Sequence, residues 1–283
     1  MFDPEFNKFY NSVKDSSWPD IHEYKDFVNL DPSIKNECFE MHGLQNRINE
    51  ITDKNYWTNL TADFCVSGNL VFVPVPKCAS SYYTQTLTEQ GWKRVKLKDL
   101  DIESTHFFGF MTHPLKRYLK GIAQMIVFSC VKSKTLDPLN SWQVLHDVDW
   151  QGVENMLESQ YLHNLINKIL VGDVHAMPYY FLLGDLIDKV HWIPMDTVSD
   201  DEMKLHAMAF CKQHGQDLSL ELNSQRIHES PPLQIKAYEI IKNIFFNSSE
   251  TQENQITTFH KIFGPDIKFY YQLLNNFQKK SII

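Results

Sequence analysis

The chain has no apolar run of the roughly 18 residues needed to cross a bilayer, so no membrane span is expected. Its five cysteines, Cys38, Cys65, Cys78, Cys130 and Cys211, are scattered without a C-x-x-C pair. That scatter argues against a disulfide scaffold and against a zinc cluster, and no metal site is expected. The opening residues MFDPEFNKFY lack the basic-then-apolar order of a secretory leader, which with reduced thiols points to a cytoplasmic setting. Basic charge is short as well: 27 Lys and Arg against 35 Asp and Glu leave a formal net charge of −8, a poor match to a nucleic-acid backbone. Neither G-x-G-x-x-G nor G-x-x-x-x-G-K-[ST] occurs, which removes the common dinucleotide and nucleotide-hydrolase loops. There is no internal repeat and no low-complexity tract.

What the chain does have is the stretch Leu70 to Leu87, LVFVPVPKCASSYYTQTL. An apolar strand, Leu70–Val75, runs into a short turn with one lysine, and two serines open a helix over Ser81–Glu89 that closes at Gly91. The first amides of that helix have no partner within it and sit at the positive end of its dipole. Lys77 adds a cation, and Ser80 and Ser81 add hydroxyl donors. This set suits a phosphate or a sulfonate. The plainer reading makes Ser80 a helix cap and Lys77 a solvated surface residue.

The remaining pattern predicts an α/β protein. Trp92–Leu97, His106–Met111 and Lys189–Ile193 read as further strands, and apolar strands joined by helices imply a mostly parallel central sheet flanked by helices. Pro114 suits the first turn of a helix running from Leu115 to about Phe128, with Lys116 and Lys120 four apart on one face and Arg117 beside it. Residues 131–150, holding Trp142, His146 and Trp150, read as a long loop of the lid or binding-wall kind. Leu157–Leu170, Asp200–His214, Pro232–Phe246 and Asp266–Phe277 read as helices. Residues 1–65, polar and aromatic, form an N-terminal helical and loop extension packed on a core domain over 66–283. A hydrophobic content of 43% is ample for that core.

PKCASS, Pro76 to Ser81, placed between strand and helix, resembles the phosphate-binding motif of the sulfotransferase family. That family's donor is 3'-phosphoadenosine 5'-phosphosulfate, and its fold is a P-loop-like nucleotide-binding α/β fold. The resemblance implies that Pro76, Lys77, Cys78, Ala79, Ser80, Ser81 and Tyr82 hold the 5'-phosphosulfate. The family's second motif holds the 3'-phosphate, with an Arg-Asp-Pro-like turn and a serine about eight residues after the arginine. Here the corresponding stretch is Thr112, His113, Pro114, then Arg117 and Lys120. The proline agrees, while threonine replaces the leading arginine and lysine replaces the serine; a Thr112 hydroxyl and the Lys120 charge are the expected substitutes. Asp173-Val174-His175-Ala176-Met177-Pro178 looks like the D-x-H-x-x-P segment of the carbohydrate-type branch. Asn223-Ser224 and Tyr270-Tyr271 resemble later parts of that branch. The likeness spans roughly residues 70 to 278.

By that resemblance the expected activity is sulfonyl transfer to a hydroxyl of a glycan or small acceptor. Lys77 and the helix amides would stabilise charge on the leaving phosphate. A histidine, whose ordinary pKa is about 6.5, suits the role of base. His175 is the first candidate, His106 the second and His113 the third, with Glu103 or Asp147 as carboxylate alternatives. Trp142, Trp150, Tyr179 and Tyr180 are stacking candidates, although core packing accounts for such residues equally well. Lys132-Ser133-Lys134 is a basic segment suited to an anionic acceptor or simply to solvent. Two rival readings remain open: a noncatalytic anion- or nucleotide-binding protein of the same fold, and a phosphoryl-transfer enzyme with an atypical phosphate loop.

Overall fold

The computed structural model describes residues 4–6, 11, 63–136, 143–158, 175–176, 178–221, 232–247 and 252–280. A five-stranded sheet lies at its centre. Strands β1 (Phe64–Ser67) and β2 (Leu70–Val73) form a hairpin. Gly68 takes φ 58° at the first position of its two-residue loop, where a side chain would be strained. β3 (Lys93–Val95) pairs antiparallel with β1, while β4 (His106–Met111) pairs parallel with β2 and β7 (Val190–Pro194) parallel with β4. The order across the sheet is β3-β1-β2-β4-β7.

This is a mixed sheet rather than a mostly parallel one. The difference comes from β1, whose short run FCVS carries little periodic signal and begins inside the expected N-terminal extension. Of that extension, Phe6 is buried and its ring meets those of His113 and Phe246; residues 12–62 lie outside the described residues.

β2 is buried along its whole length, and β4 is buried after its first residue. Continuous apolar strands of this kind need cover on both faces. On one face Phe72, Phe108 and Phe110 meet Tyr83 of α1 (Ser80–Glu89) and Phe210 of α5 (Asp200–Gln213). On the other, Trp192 meets Tyr179 of α4 (Tyr179–Leu183). Gly109 makes room there, since a Cβ at that position would lie 2.9 Å from the Trp192 ring.

Helix α2 (Pro114–Ser129) starts on its proline, as expected, and packs against α3 (Trp150–Glu158), α6 (Pro232–Asn247) and α7 (Gln252–Lys280). Residues 131–150 are not a long loop. Val131–Leu136 and Gln143–Val148 form an antiparallel two-stranded sheet, β5–β6, and Trp150 opens α3. The β-branched residues there, mixed with Lys, Ser and His, hide a strand pattern within a polar composition. Trp142, residues 159–170, Asp173, Val174, Met177, Asn223 and Ser224 lie outside the described residues. No helix among the described residues is long and apolar enough to cross a membrane.

Candidate anion-binding site at the β2–α1 turn

After Val73 the chain leaves the sheet through Pro74, and the Cys78 amide donates to the Val75 carbonyl at 3.1 Å to close the turn. Lys77 at φ 67° and Ala79 at φ 55° both adopt the left-handed conformation without being glycine. Each costs about 1–2 kcal/mol relative to a right-handed residue. Left-handed residues thus stand on either side of Cys78, whose own amide is spent on Val75.

α1 begins immediately after this turn. Ala79 is its N-cap, one residue earlier than the plain reading of Ser80 as a cap, and no side chain caps the helix. The first helical bond there runs from the Tyr83 amide to the Ala79 carbonyl, so the amides of Ser80, Ser81 and Tyr82 precede the ladder. The first turn contains no acidic residue. Lys77, Ser80 and Ser81 are half-buried, and Tyr82 is turned inward against Tyr83.

Two side chains, Arg117 and Tyr179, hold the turn. The Arg117 Nε donates to the Pro76 carbonyl at 3.0 Å, and its guanidinium lies 4.8 Å from the Tyr179 ring centroid. The Cys78 Sγ lies 3.0 Å from the Tyr179 hydroxyl. That hydroxyl donates to the Thr112 carbonyl at 2.9 Å and accepts from the Thr112 amide at 3.1 Å. With its single proton spent on Thr112, Tyr179 accepts from the thiol, so Cys78 is the donor. Burial pushes the Cys78 thiol up, opposed by the nearby Arg117 charge. Burial, reinforced by Cys78, likewise pushes the Tyr179 hydroxyl well above its ordinary range.

The segment expected to hold a 3'-phosphate is largely committed to the protein itself. Asp196, just beyond β7, takes the Thr112 hydroxyl at 2.8 Å, the His113 amide at 2.6 Å, Lys116 Nζ at 2.6 Å and the Tyr270 hydroxyl at 2.8 Å. Burial tends to raise its carboxyl, but the charge and hydrogen bond of Lys116, with Thr112 and the His113 amide, outweigh it and hold the group below the ordinary range. Arg117 is buried against the turn. His113 is buried too; its Nδ1 accepts from the Leu115 amide at 3.2 Å, and its ring packs on Tyr270 and Tyr271. Lys120 is half-buried one turn beyond Lys116 on α2.

The candidate bases separate. His106 pairs in register with Leu70 at the start of the sheet and stacks on His214 at 4.0 Å between centroids. The turn lies beyond the other end of β2, so His106 does not join it. His175 packs on α2, its carbonyl against Gly121 and its Nε2 3.3 Å from the Gln124 Nε2. Glu103 instead pairs with Lys189, Asp147 lies on β6, and Trp150 is exposed at the start of α3. Tyr180 is half-buried, and its amide donates to Asp266 at 3.1 Å.

Asp196 and Asp266 are linking residues that the sequence does not single out, and Tyr179, expected as a stacking candidate, instead joins Cys78 to Thr112. The one available signal was position: Asp196 follows the carboxyl end of a strand parallel to β2 and β4, where α/β sheets place functional groups. Among the described residues no group of three His, Cys, Asp or Glu side chains is placed to hold a metal ion. Compared with protein-family models, curated proteins and solved structures, the chain matches none.

Proposed function

We propose that this protein is a cytoplasmic sulfotransferase that moves a sulfonyl group from 3'-phosphoadenosine 5'-phosphosulfate to a hydroxyl of a glycan or small molecule. The finer assignment of its α/β architecture to the sulfotransferase fold is part of the same proposal. The observation that carries it is the β2–α1 turn, where two non-glycine residues are held left-handed, with Lys77 and three unladdered amides at its rim. Strain maintained by Arg117 and Tyr179 is consistent with a backbone shaped for a ligand.

In the proposed step the acceptor oxygen attacks sulfur, the bond from sulfur to the phosphate oxygen breaks, and 3'-phosphoadenosine 5'-phosphate leaves. The hydroxyl proton passes to His175. Lys77 and the amides of Ser80, Ser81 and Tyr82 offset the charge that develops on the departing phosphate. A second reading has its own support: Thr112 and Arg117 are tied to Asp196 and Pro76. A noncatalytic nucleotide-binding protein would tolerate that commitment.

Calorimetric titration with 3'-phosphoadenosine 5'-phosphate, ATP and AMP tests the proposal. The first should bind most tightly. Lys77→Ala should lower sulfonyl transfer by about 10²–10³-fold while leaving the fold intact. Equal affinity for all three nucleotides would remove the assigned donor, and binding without turnover of the phosphosulfate would favour the noncatalytic reading.

A further inference from the structure

Donors from three parts of the chain converge on one carboxylate. Thr112, the first residue after β4, holds its hydroxyl 2.9 Å and 2.8 Å from the two Asp196 oxygens. The His113 amide adds a bond at 2.6 Å, Lys116 of α2 an ammonium at 2.6 Å, and Tyr270 of α7 a hydroxyl at 2.8 Å. Capping the start of α2 would ask for the amide alone. With two buried hydroxyls and an ammonium added, the set is a complete seat for an anion, filled by the protein's own side chain.

That seat adjoins the β2–α1 turn by two separate links. The Thr112 amide and the Cys78 thiol meet the same Tyr179 hydroxyl, at 3.1 Å and 3.0 Å. Arg117, next in sequence to Lys116, donates to the Pro76 carbonyl at 3.0 Å. The seat is open on its Lys116 side, where the lysine side chain is 30% exposed against 9% for Asp196. A phosphate monoester offers what the carboxylate offers, acceptor oxygens and negative charge, and carries more of both.

We infer that Asp196 is a resident anion in the place of a nucleotide's second phosphate, and that binding exchanges one for the other. This rests on the reading of the ligand as 3'-phosphoadenosine 5'-phosphosulfate or its product. With the 5' end on the turn, the 3'-phosphate takes over Thr112, the His113 amide, Lys116 and Tyr270, while Asp196 swings past Lys116 to solvent. Exchange keeps the donors satisfied, whereas hydroxyls left unpaired in the interior would be costly. Asp196 is thereby a specificity-determining residue: it sets the advantage that a 3'-phosphate brings over a free 3'-hydroxyl.

The test labels carboxyl groups of the full chain with a carbodiimide and glycinamide, read by mass spectrometry. Asp196 should label slowly in the free protein and faster with saturating 3'-phosphoadenosine 5'-phosphate, but no faster with saturating AMP. A residue that merely braces the fold would be shielded further by either nucleotide. In calorimetry, Asp196→Asn should tighten 3'-phosphoadenosine 5'-phosphate about tenfold, the scale of one charge-assisted hydrogen bond freed from competition, and leave AMP unchanged. Adding Lys116→Met should cancel that gain. Labelling that falls or stays level with the bisphosphate, an unchanged affinity ratio in Asp196→Asn, or a gain that survives Lys116→Met would each overturn the inference. The labelling reads the unmodified chain, so it decides even where the variant does not fold. If neither chain binds 3'-phosphoadenosine 5'-phosphate, the donor reading falls and takes the inference with it; tight binding with Asp196 still shielded sinks the inference alone.

Discussion

Asp266 is a carboxyl sealed within the protein, where it accepts hydrogen bonds from the Tyr179 and Tyr180 amides. Those two donors and Arg117 favour its charged form, but burial is the larger influence and raises it from 3.8 to about 7. Because the folded value exceeds the unfolded one, the native state holds the proton more tightly over that interval. The stabilisation is complete below about pH 4 and is lost as pH rises through about 7. The full swing is up to about 4 kcal/mol, at 1.36 kcal/mol per pKa unit. Asp266→Asn, a stand-in for the protonated carboxyl, should remove this component, so in urea unfolding from pH 4 to 7 the parent should lose stability that the variant keeps and the two should separate as pH rises. A constant difference between them across the window would show that Asp266 is not the titrating group. Gly121 belongs to the same scale. Gly121→Ala drives a Cβ into fixed backbone and should cost about 1–3 kcal/mol, measured as a lowered midpoint of thermal or urea unfolding.

At the scale of elements, α2 acts as a strut. Its buried Arg117 reaches the Pro76 carbonyl beneath the turn and covers the Tyr179 ring. Replacing Arg117 with methionine leaves that carbonyl without its donor and should destabilise the fold by about 1–3 kcal/mol. It should also weaken 3'-phosphoadenosine 5'-phosphate and AMP by the same factor, since the loss falls on the shared 5' end. Selective loss of the nucleotide bearing the 3'-phosphate would restore Arg117 to the ligand-contacting role suggested by the resemblance. The turn itself was legible in the sequence because its parts are contiguous: strand, proline, lysine and paired serines follow one another within a dozen residues. Its supports were not. Tyr179, Asp196 and Asp266 come from three separate segments; a lone aspartate after a strand or within a helix has no local mark, and the Tyr179-Tyr180 pair suggests stacking and not a support. β5 and β6 were missed for a related reason, because a half-polar ribbon lacks the apolar run that made β2 and β4 plain.

Across the whole molecule, the parallel direction of β2, β4 and β7 separates two ends. The strained turn, Asp196 and the start of α2 gather where these strands finish. His106, His191 and His214 gather with Phe210 nearer where they begin. From His106 to Met111 is five rises of about 3.3 Å, roughly 16 Å, too far for a side chain to bridge. His106→Ala should therefore leave nucleotide affinity and transfer rate unchanged in the assays above; a large loss would mean that the reacting centre lies at the opposite end. The sequence placed His106 in the right strand. It also put His106 at the start of that strand, and the register with Leu70 sets this start at the end of the sheet away from the β2–α1 turn.

The thiol of Cys78 is shielded beneath the turn and donates to Tyr179. Alkylating agents attack thiolates, so this sulfur should react only in the moments when the segment lifts. Its labelling by iodoacetamide then becomes a clock for breathing of the backbone around Lys77. A ligand seated on that backbone should slow the clock, and a weakened strut should quicken it.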